Sequence, residues 1–248
     1  MSVVKKYILP IFAFLLLYVL FVVVLAPAKK VLSYVDLPKG VYLGMVSGSV
    51  FSGKADVVRL GDHSVEQVQW QLKPLSLLLL NPTADVTFGA PRLGYQGQLT
   101  ASNLLATPSL RNVEITADAD YVVGQLNLMV DVQAQGQLQL ALENFIPGQA
   151  VCEQATGDLL WQQAEINATG EYVALGDFDA DISCQQGDVV LDVNKDNGLG
   201  IELKASFNGR QVRANGFLTP GEQFPQALEP MLGFMGRKDN QGRYRIRI

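Results

Sequence analysis

From Val31 onward the chain alternates apolar and polar residues with a period of two, which leaves half-buried β-strands as the outcome to expect. Successive side chains of a strand point to opposite faces, so each period-two stripe is one face of a sheet. Val68, Trp70 and Leu72 alternate with Gln69 and Gln71, and Val113, Ile115, Ala117 and Ala119 alternate with Glu114, Thr116 and Asp118. Leu126, Leu128, Val130 and Val132 form another stripe, as do Leu138, Leu140 and Leu142. Phe178, Ile182 and Cys184 stand opposite Asp177, Asp179 and Asp181, and the closing stripes are Ile201, Leu203, Ala205, Phe207 and then Tyr244, Ile246, Ile248. Asp196-Asn197-Gly198, Asn208-Gly209 and Asn215-Gly216 supply turn residues between strands, so neighbouring strands are expected to run antiparallel. Residues 74–80 and 224–234 break the alternation, with Leu228, Met231 and Leu232 suiting one helical face; each is expected to be a short helix packed on the sheet.

Before this region, residues 7–26 (YILPIFAFLLLYVLFVVVLA) are twenty residues without a charge, about 30 Å of helix and so the thickness of a bilayer core. Pro10 falls in the first turn, where its missing N–H is tolerated. The rival reading is a cleaved signal peptide, with Ala26-Pro27-Ala28 as the cleavage element, but its apolar core would normally span only about 7 to 15 residues. The expected organisation is a cytoplasmic tail over 1–6, a transmembrane anchor over 7–26 and a periplasmic β-rich domain over 27–248. Lysines flank both ends of the span, so the positive-inside count is nearly balanced and the free amine tips the N-terminus inward.

The net charge is −5, and setting aside Lys5, Lys6, Lys29 and Lys30 leaves 15 basic against 24 acidic side chains, or −9 for the rest. A surface of that sign is repelled by phosphate backbones, which argues against nucleic acid as a partner and toward other proteins. Cys152 and Cys184 are the only cysteines and both lie beyond the apolar segment. In an oxidising periplasm they would pair; the other reading is two buried thiols in a reducing compartment.

Candidate chemical motifs are thin. Residues 48–54 (GSVFSGK) copy a phosphate-cradling loop, but Ala55 stands where a magnesium-binding hydroxyl belongs and the following stretch reads as strand, so no nucleotide is expected. His63 lies between Asp62 and Ser64 in an expected loop, without a G-x-S-x-G elbow or a set of metal ligands. Asp177, Asp179 and Asp181 begin like a calcium loop, but Ile182 and Asp188 occupy the positions that need Gly and Glu. No catalytic residue, metal or cofactor is expected. Arg243, Arg245 and Arg247 line one face of the last strand, either guarding an edge against aggregation or docking an acidic partner, and they are the candidate partner contacts. A weak internal echo pairs residues 48–55 with 157–164, and 58–62 with 173–177, hinting at two related halves.

Taken in order, several of these segments resemble one family. Leu25-Ala26-Pro27-Ala28 looks like the element that opens its periplasmic part; residues 48–55 are similar to Gly-x-x-Trp-x-Gly-x-Ala, with Phe51 for the commoner tryptophan; and Val68-Gln-Trp-Gln-Leu-Lys-Pro74 precedes a leucine run. Residues 152–161 (CEQATGDLLW), Leu175-Gly176, Cys184 and Gly187 continue the likeness, and residues 234–244 end like Gly-x-x-Asp-x-x-Gly-x-Tyr. The chain thus resembles the type II secretion system protein N family, also called general secretion pathway protein N. The resemblance implies a mainly β protein: one N-terminal transmembrane helix, then a long, curved antiparallel sheet with one or two short helices. It further implies a non-catalytic accessory component of the bacterial inner membrane that supports export of folded periplasmic proteins by contacting other secretion components of the inner membrane and periplasm. The alternative is an envelope lipid-binding or lipid-transfer protein holding acyl chains in an apolar groove of the sheet. A covered stripe would favour the first reading, an open groove the second.

Overall fold

The computed structural model describes residues 10–12, 14, 15, 18, 21, 22, 25–32, 34, 40–61, 63–104, 106–125, 132–167 and 170–247. The chain forms two compact units, Met1–Gly89 and Ala90–Ile248. In the first, β1 (Val41–Gly44), β3 (Ser52–Leu60), β4 (His63–Leu72) and β5 (Ala84–Ala90) lie side by side in that order, and β2 (Ser47–Gly48) pairs with β3. In the second, β6 (Tyr95–Ser102), β7 (Ser109–Asp118), β8 (Gln133–Pro147), β9 (Cys152–Asn167), β10 (Tyr172–Gln185), β11 (Asp188–Val193), β12 (Ile201–Phe207), β13 (Val212–Leu218) and β14 (Tyr244–Arg247) follow one another in chain order. Every pairing within this second unit is antiparallel, the arrangement that short hairpin turns permit.

Register carries the alternation across the second unit as rows of side chains. Gly97, Ile115, Leu140, Leu159, Ala180, Val193, Leu203, Gly216 and Ile246 are successive cross-strand partners, one from each of its strands. One residue along lies the opposite face, where the row reads Gln98, Glu114, Ala141, Asp158, Asp181, Asp192, Lys204, Asn215 and Arg247. A slip by one residue would exchange the two faces, so the apolar pattern itself fixes the register.

Burial has the signature of a sheet with little over it. Among the described residues no large side chain is fully buried, and eleven of the eighteen buried apolar residues are alanine. Among the described residues a larger core forms where Ala164, Val173, Leu175 and Leu228 meet, with Trp161, Ile166, Phe178, Leu199 and Phe224 packed around them. Trp161 stacks on Phe178 with centroids 5.7 Å apart, and its indole N–H donates to the Gln135 carbonyl at 3.1 Å. Leu228 reaches this core from the expected helical stretch, which is a 3-10 turn at Gln226–Leu228 and a helix at Glu229–Leu232.

Four local expectations are corrected. Ala119 does not continue the β7 stripe but begins a helix, Ala119–Gln125, in which Tyr121 stacks on Tyr95 at 4.8 Å; a period-two reading cannot see a helix that starts in phase with the strand before it. Asn215-Gly216 is not a turn: both lie inside β13, where Gly216 sits between Leu203 and Ile246 and a Cβ would strike the Glu202 carbonyl. The helix Pro74–Leu78 does not pack on the sheet, since Leu75, Leu79 and Leu80 of its loop are 75, 80 and 88% exposed. His63 is the first residue of β4, opposite Leu60, rather than a loop residue. Meanwhile Gln186-Gly187 supplies an unforeseen two-residue hairpin turn, with φ of 54° and 91°, the pairing that suits the twist of β10 and β11.

Leu126, Leu128 and Val130, the tail over 1–6 and half of the apolar segment 7–26 lie outside the described residues. Of the described residues of that segment, 10–12, 14, 15, 18, 21 and 22 are helical, and 25 and 26 are not. Among the described residues no helix is long and apolar enough to cross a membrane.

Candidate functional site

Polar residues picked out in the sequence do not converge. Residues 48–54 run from the end of β2 through a turn at 49–51 into β3, the turn closed by the Ser49 N–H donating to the Ser52 carbonyl at 2.8 Å. Gly53 is set by its neighbour, because the Trp70 ring lies where a Cβ would go, and the Trp70 indole N–H donates to the Val50 carbonyl at 3.0 Å. His63 is exposed at the opposite end of that hairpin. Of the three aspartates, Asp177 accepts the Gln163 backbone N–H at 2.7 Å beside a register shift at Gly176, and Asp179 and Asp181 stand on the wet face. Among the described residues no group of His, Cys, Asp or Glu is placed to hold a metal. The echoing segments occupy different elements, 48–55 crossing a turn and 157–164 lying inside β9.

Cys152 and Cys184 are bonded, joining the start of β9 to the end of β10 with Cα atoms 6.1 Å apart. Cys152 is 2% exposed, and its backbone N–H donates to the Gly187 carbonyl of the hairpin turn at 3.2 Å. The bond therefore fastens two long neighbouring strands beside the turn that leads into β11.

The three arginines divide. β14 has β13 as its neighbour and is an edge strand among the described residues, with Arg245 opposite Phe217 and Arg247 opposite Asn215, both exposed. Arg243 precedes the strand and is held in place. Its guanidinium meets the Asp239 carboxylate at 2.9 Å and lies 4.0 Å from the Phe217 ring centroid. Asp239 also accepts the backbone N–H groups of Gln241 at 2.8 Å and Arg243 at 2.9 Å. These bonds hold its carboxyl below the usual aspartate range, the Arg243 backbone N–H contributing most. Asp239 and Gly242, with φ of 77°, are thus the closing motif's structural residues: they form the turn that presents β14. The four-residue spacing of Asp239 and Arg243 was the available signal, but nothing in sequence said the two meet in a loop.

One row on the wet face of the second unit is segregated by sign. Glu114, Asp158, Asp181 and Asp192 fall in one row across β7 to β11, with Ala141 between the first two, and Lys204 and Arg247 continue that row at the β12–β14 side. Lys204 reaches Asp192 at 3.6 Å. Asp192, Glu202, Lys204, Asn215, Gly216, Phe217 and Arg245 line a shallow cavity of about 270 Å³ there. The apolar row on the other face is half-exposed at Ile115, Leu140, Leu159, Val193, Leu203 and Ile246.

Residues 39–247 match the family model described as type II secretion system (T2SS), protein N. Similar proteins include the type II secretion system protein N of Vibrio cholerae serotype O1, 30% identical with 90% of each chain covered, and that of Aeromonas hydrophila, 30% identical with 94% of each covered. That of Pectobacterium carotovorum is 22% identical, covering 93% of this chain and 91% of the relative. No solved structure matches the chain. A match over four-fifths of the sequence, with two relatives of equal extent at 30% identity, shows that this chain belongs to the type II secretion system protein N family.

Proposed function

We propose that the chain is a non-catalytic accessory component of the type II secretion system, anchored in the inner membrane by residues 7–26, with 1–6 in the cytoplasm and 27–248 in the periplasm. The family match over residues 39–247, with a relative covering 94% of the chain, carries this reading. The disulfide supports the compartment, because such bonds persist in oxidising environments. The scattered placement of His63, Asp177 and the 48–54 turn supports action through contacts instead of chemistry. The protein needs no cofactor, nucleotide or nucleic acid in this reading; its partners are other secretion components.

Recognition falls to the β14 edge. Arg245 and Arg247 stand free of the turn that holds Arg243, beside a mixed-charge cavity and on a strand whose outer side can accept a partner strand. Changing Arg245 and Arg247 together to Glu should alter folding stability by no more than about 0.5 kcal/mol. It should weaken recovery of secretion components crosslinked in membranes, more at low than at high salt. Equal recovery of every partner would reduce the arginines to edge guards. A phosphatase fused after residue 248 should be active, and cytoplasmic activity of the fusion would reverse the orientation.

A further inference from the structure

Among the described residues beyond the segment 7–26, Phe234, Tyr34 and Met45 are exposed singly, whereas the most exposed leucines are gathered on one loop. Residues 73–83 form a loop in which Leu75, Leu79 and Leu80 are 75, 80 and 88% exposed and Leu77 is 37% exposed. Single exposed leucines need no explanation, but a cluster on one loop does.

The loop turns its polar atoms inward. At its neck the Lys73 backbone N–H donates to the Thr83 carbonyl at 2.8 Å, and the Thr83 N–H donates to Ser76 Oγ at 2.9 Å. Ser76 Oγ donates to the Lys73 carbonyl at 2.6 Å, the Asn81 N–H donates to the Ser76 carbonyl at 3.0 Å, and Thr83 Oγ1 donates to the Asn81 carbonyl at 3.0 Å. Pro74 and Pro82 have no N–H to satisfy. Thr83, at the neck, is 8% exposed. With these donors bonded within the loop and its leucines outward, the loop meets an apolar medium at a reduced polar cost.

Hydrogen bonds also say which end of the first unit the loop occupies. Where the apolar segment ends, the Ala26 carbonyl accepts the Val50 N–H at 3.3 Å, and Pro27 bridges to Ser49. The Phe51 carbonyl accepts the Leu72 N–H at 2.7 Å, and Leu72 leads directly into the loop. β3 and β4 pair from Ser52–Gln71 at this end to Leu60–His63 at the other. Over the nine residues of β3 those ends are about 30 Å apart. The exit of the apolar segment and the leucine loop therefore share one end of the hairpin, and His63 marks the other.

We propose that this loop is a second membrane contact: Leu75, Leu79 and Leu80 enter the interface of the bilayer that residues 7–26 span, fixing how the first unit stands on the membrane. The inference rests on the anchor reading above. Its occupant is the lipid surface because Ala26, the residue leaving the bilayer in that reading, is joined through Val50 and Phe51 to the strand that carries the loop. An exposed apolar group of this size beside a membrane partitions into the headgroup boundary.

The test uses the full chain in vesicles of phosphatidylethanolamine and phosphatidylglycerol, with an environment-sensitive fluorophore on a single introduced cysteine and no reductant, so that Cys152 and Cys184 stay bonded. Probes replace Leu79, Leu80, Ser64 and Leu15 in turn; lipids brominated near the headgroup end of their acyl chains serve as quenchers for the first three, and lipids brominated near the chain ends for Leu15, which lies mid-span. The expected result is strong quenching at Leu79 and Leu80 and none at Ser64, with Leu75→Asp reducing the quenching at Leu79 several-fold. Quenching at Leu15 without quenching at Leu79 or Leu80 would overturn the loop contact while leaving the anchor standing. Quenching at Leu79 with none at Leu15 would support the loop contact and remove the anchor. A blue-shifted but unquenched probe at Leu79 would replace lipid with a protein surface, and equal quenching at Ser64 would overturn the orientation.

Discussion

In residues 90–248 the large apolar side chains stand in rows along one sheet face, half-covered, whereas in residues 1–89 the most exposed leucines of the β-rich part are drawn into one closed loop. The difference lies in what each unit uses to hold its strands. The second unit has strands of 15, 16 and 14 residues at β8, β9 and β10, joined by a disulfide and by long registers of cross-strand pairs. Its stability is spread over the ladder. The first unit has shorter strands and depends on particular contacts, such as Trp70 over Gly53 and the hydrogen-bonded neck of the 73–83 loop. A region built that way can project apolar side chains without loosening its sheet.

The strongest way to break this comparison is to remove the disulfide. Closing a loop with a sequence separation of 32 stabilises a chain by about 3 to 4 kcal/mol in the chain-entropy model. Cys152→Ser should lower the urea midpoint of the second unit by a corresponding amount, and an unchanged midpoint would mean that the strand ladder alone suffices. Next is Gly157→Ala. A Cβ there would meet the Ala141 carbonyl and the Leu142 backbone, which cannot rotate away, and the expected loss is about 1 to 3 kcal/mol in denaturant unfolding. A neutral result would show that the β8–β9 ladder can part locally.

Smaller, and opposite in sign, is the effect of relieving the acidic row. Asp181 faces Asp158 on one side and Asp192 on the other, and like charges directly opposite destabilise a sheet. Asp181→Asn should therefore raise stability by about 0.2 to 1 kcal/mol at low salt and by less at high salt. If the variant is less stable at both, the carboxylate makes a contact worth more than the repulsion. The smallest effect belongs to the turn before β14. Since Asp239 is depressed in the folded chain, its contribution is present above the ordinary aspartate value of ~4 and is lost as pH falls through the lower folded value. Amide shifts of Gln241 and Arg243 should titrate together with a midpoint below that value, and a midpoint at or above it would discount the clamp on Arg243.

By itself the sequence determined the β class, most strand positions and the two faces of the sheet, because a period of two is a local consequence of backbone pleating and needs no partner to be read. It also determined the family, through ordered segments such as residues 152–161 and the closing Asp239, Gly242 and Tyr244. The helix Ala119–Gln125 escaped because its first residue keeps the strand's phase, and Gly216 was misplaced because glycine serves turns and close strand packing alike. Tertiary structure alone decided which cysteines' strands are neighbours, that Arg243 is held by Asp239 and Phe217 while Arg245 and Arg247 are exposed, and that the leucine run faces outward at the end where residue 26 leaves the apolar segment. Those facts depend on strand register and on contacts between residues far apart in the chain. A pattern of polarity along the chain records which face a side chain takes; it does not record what that face meets.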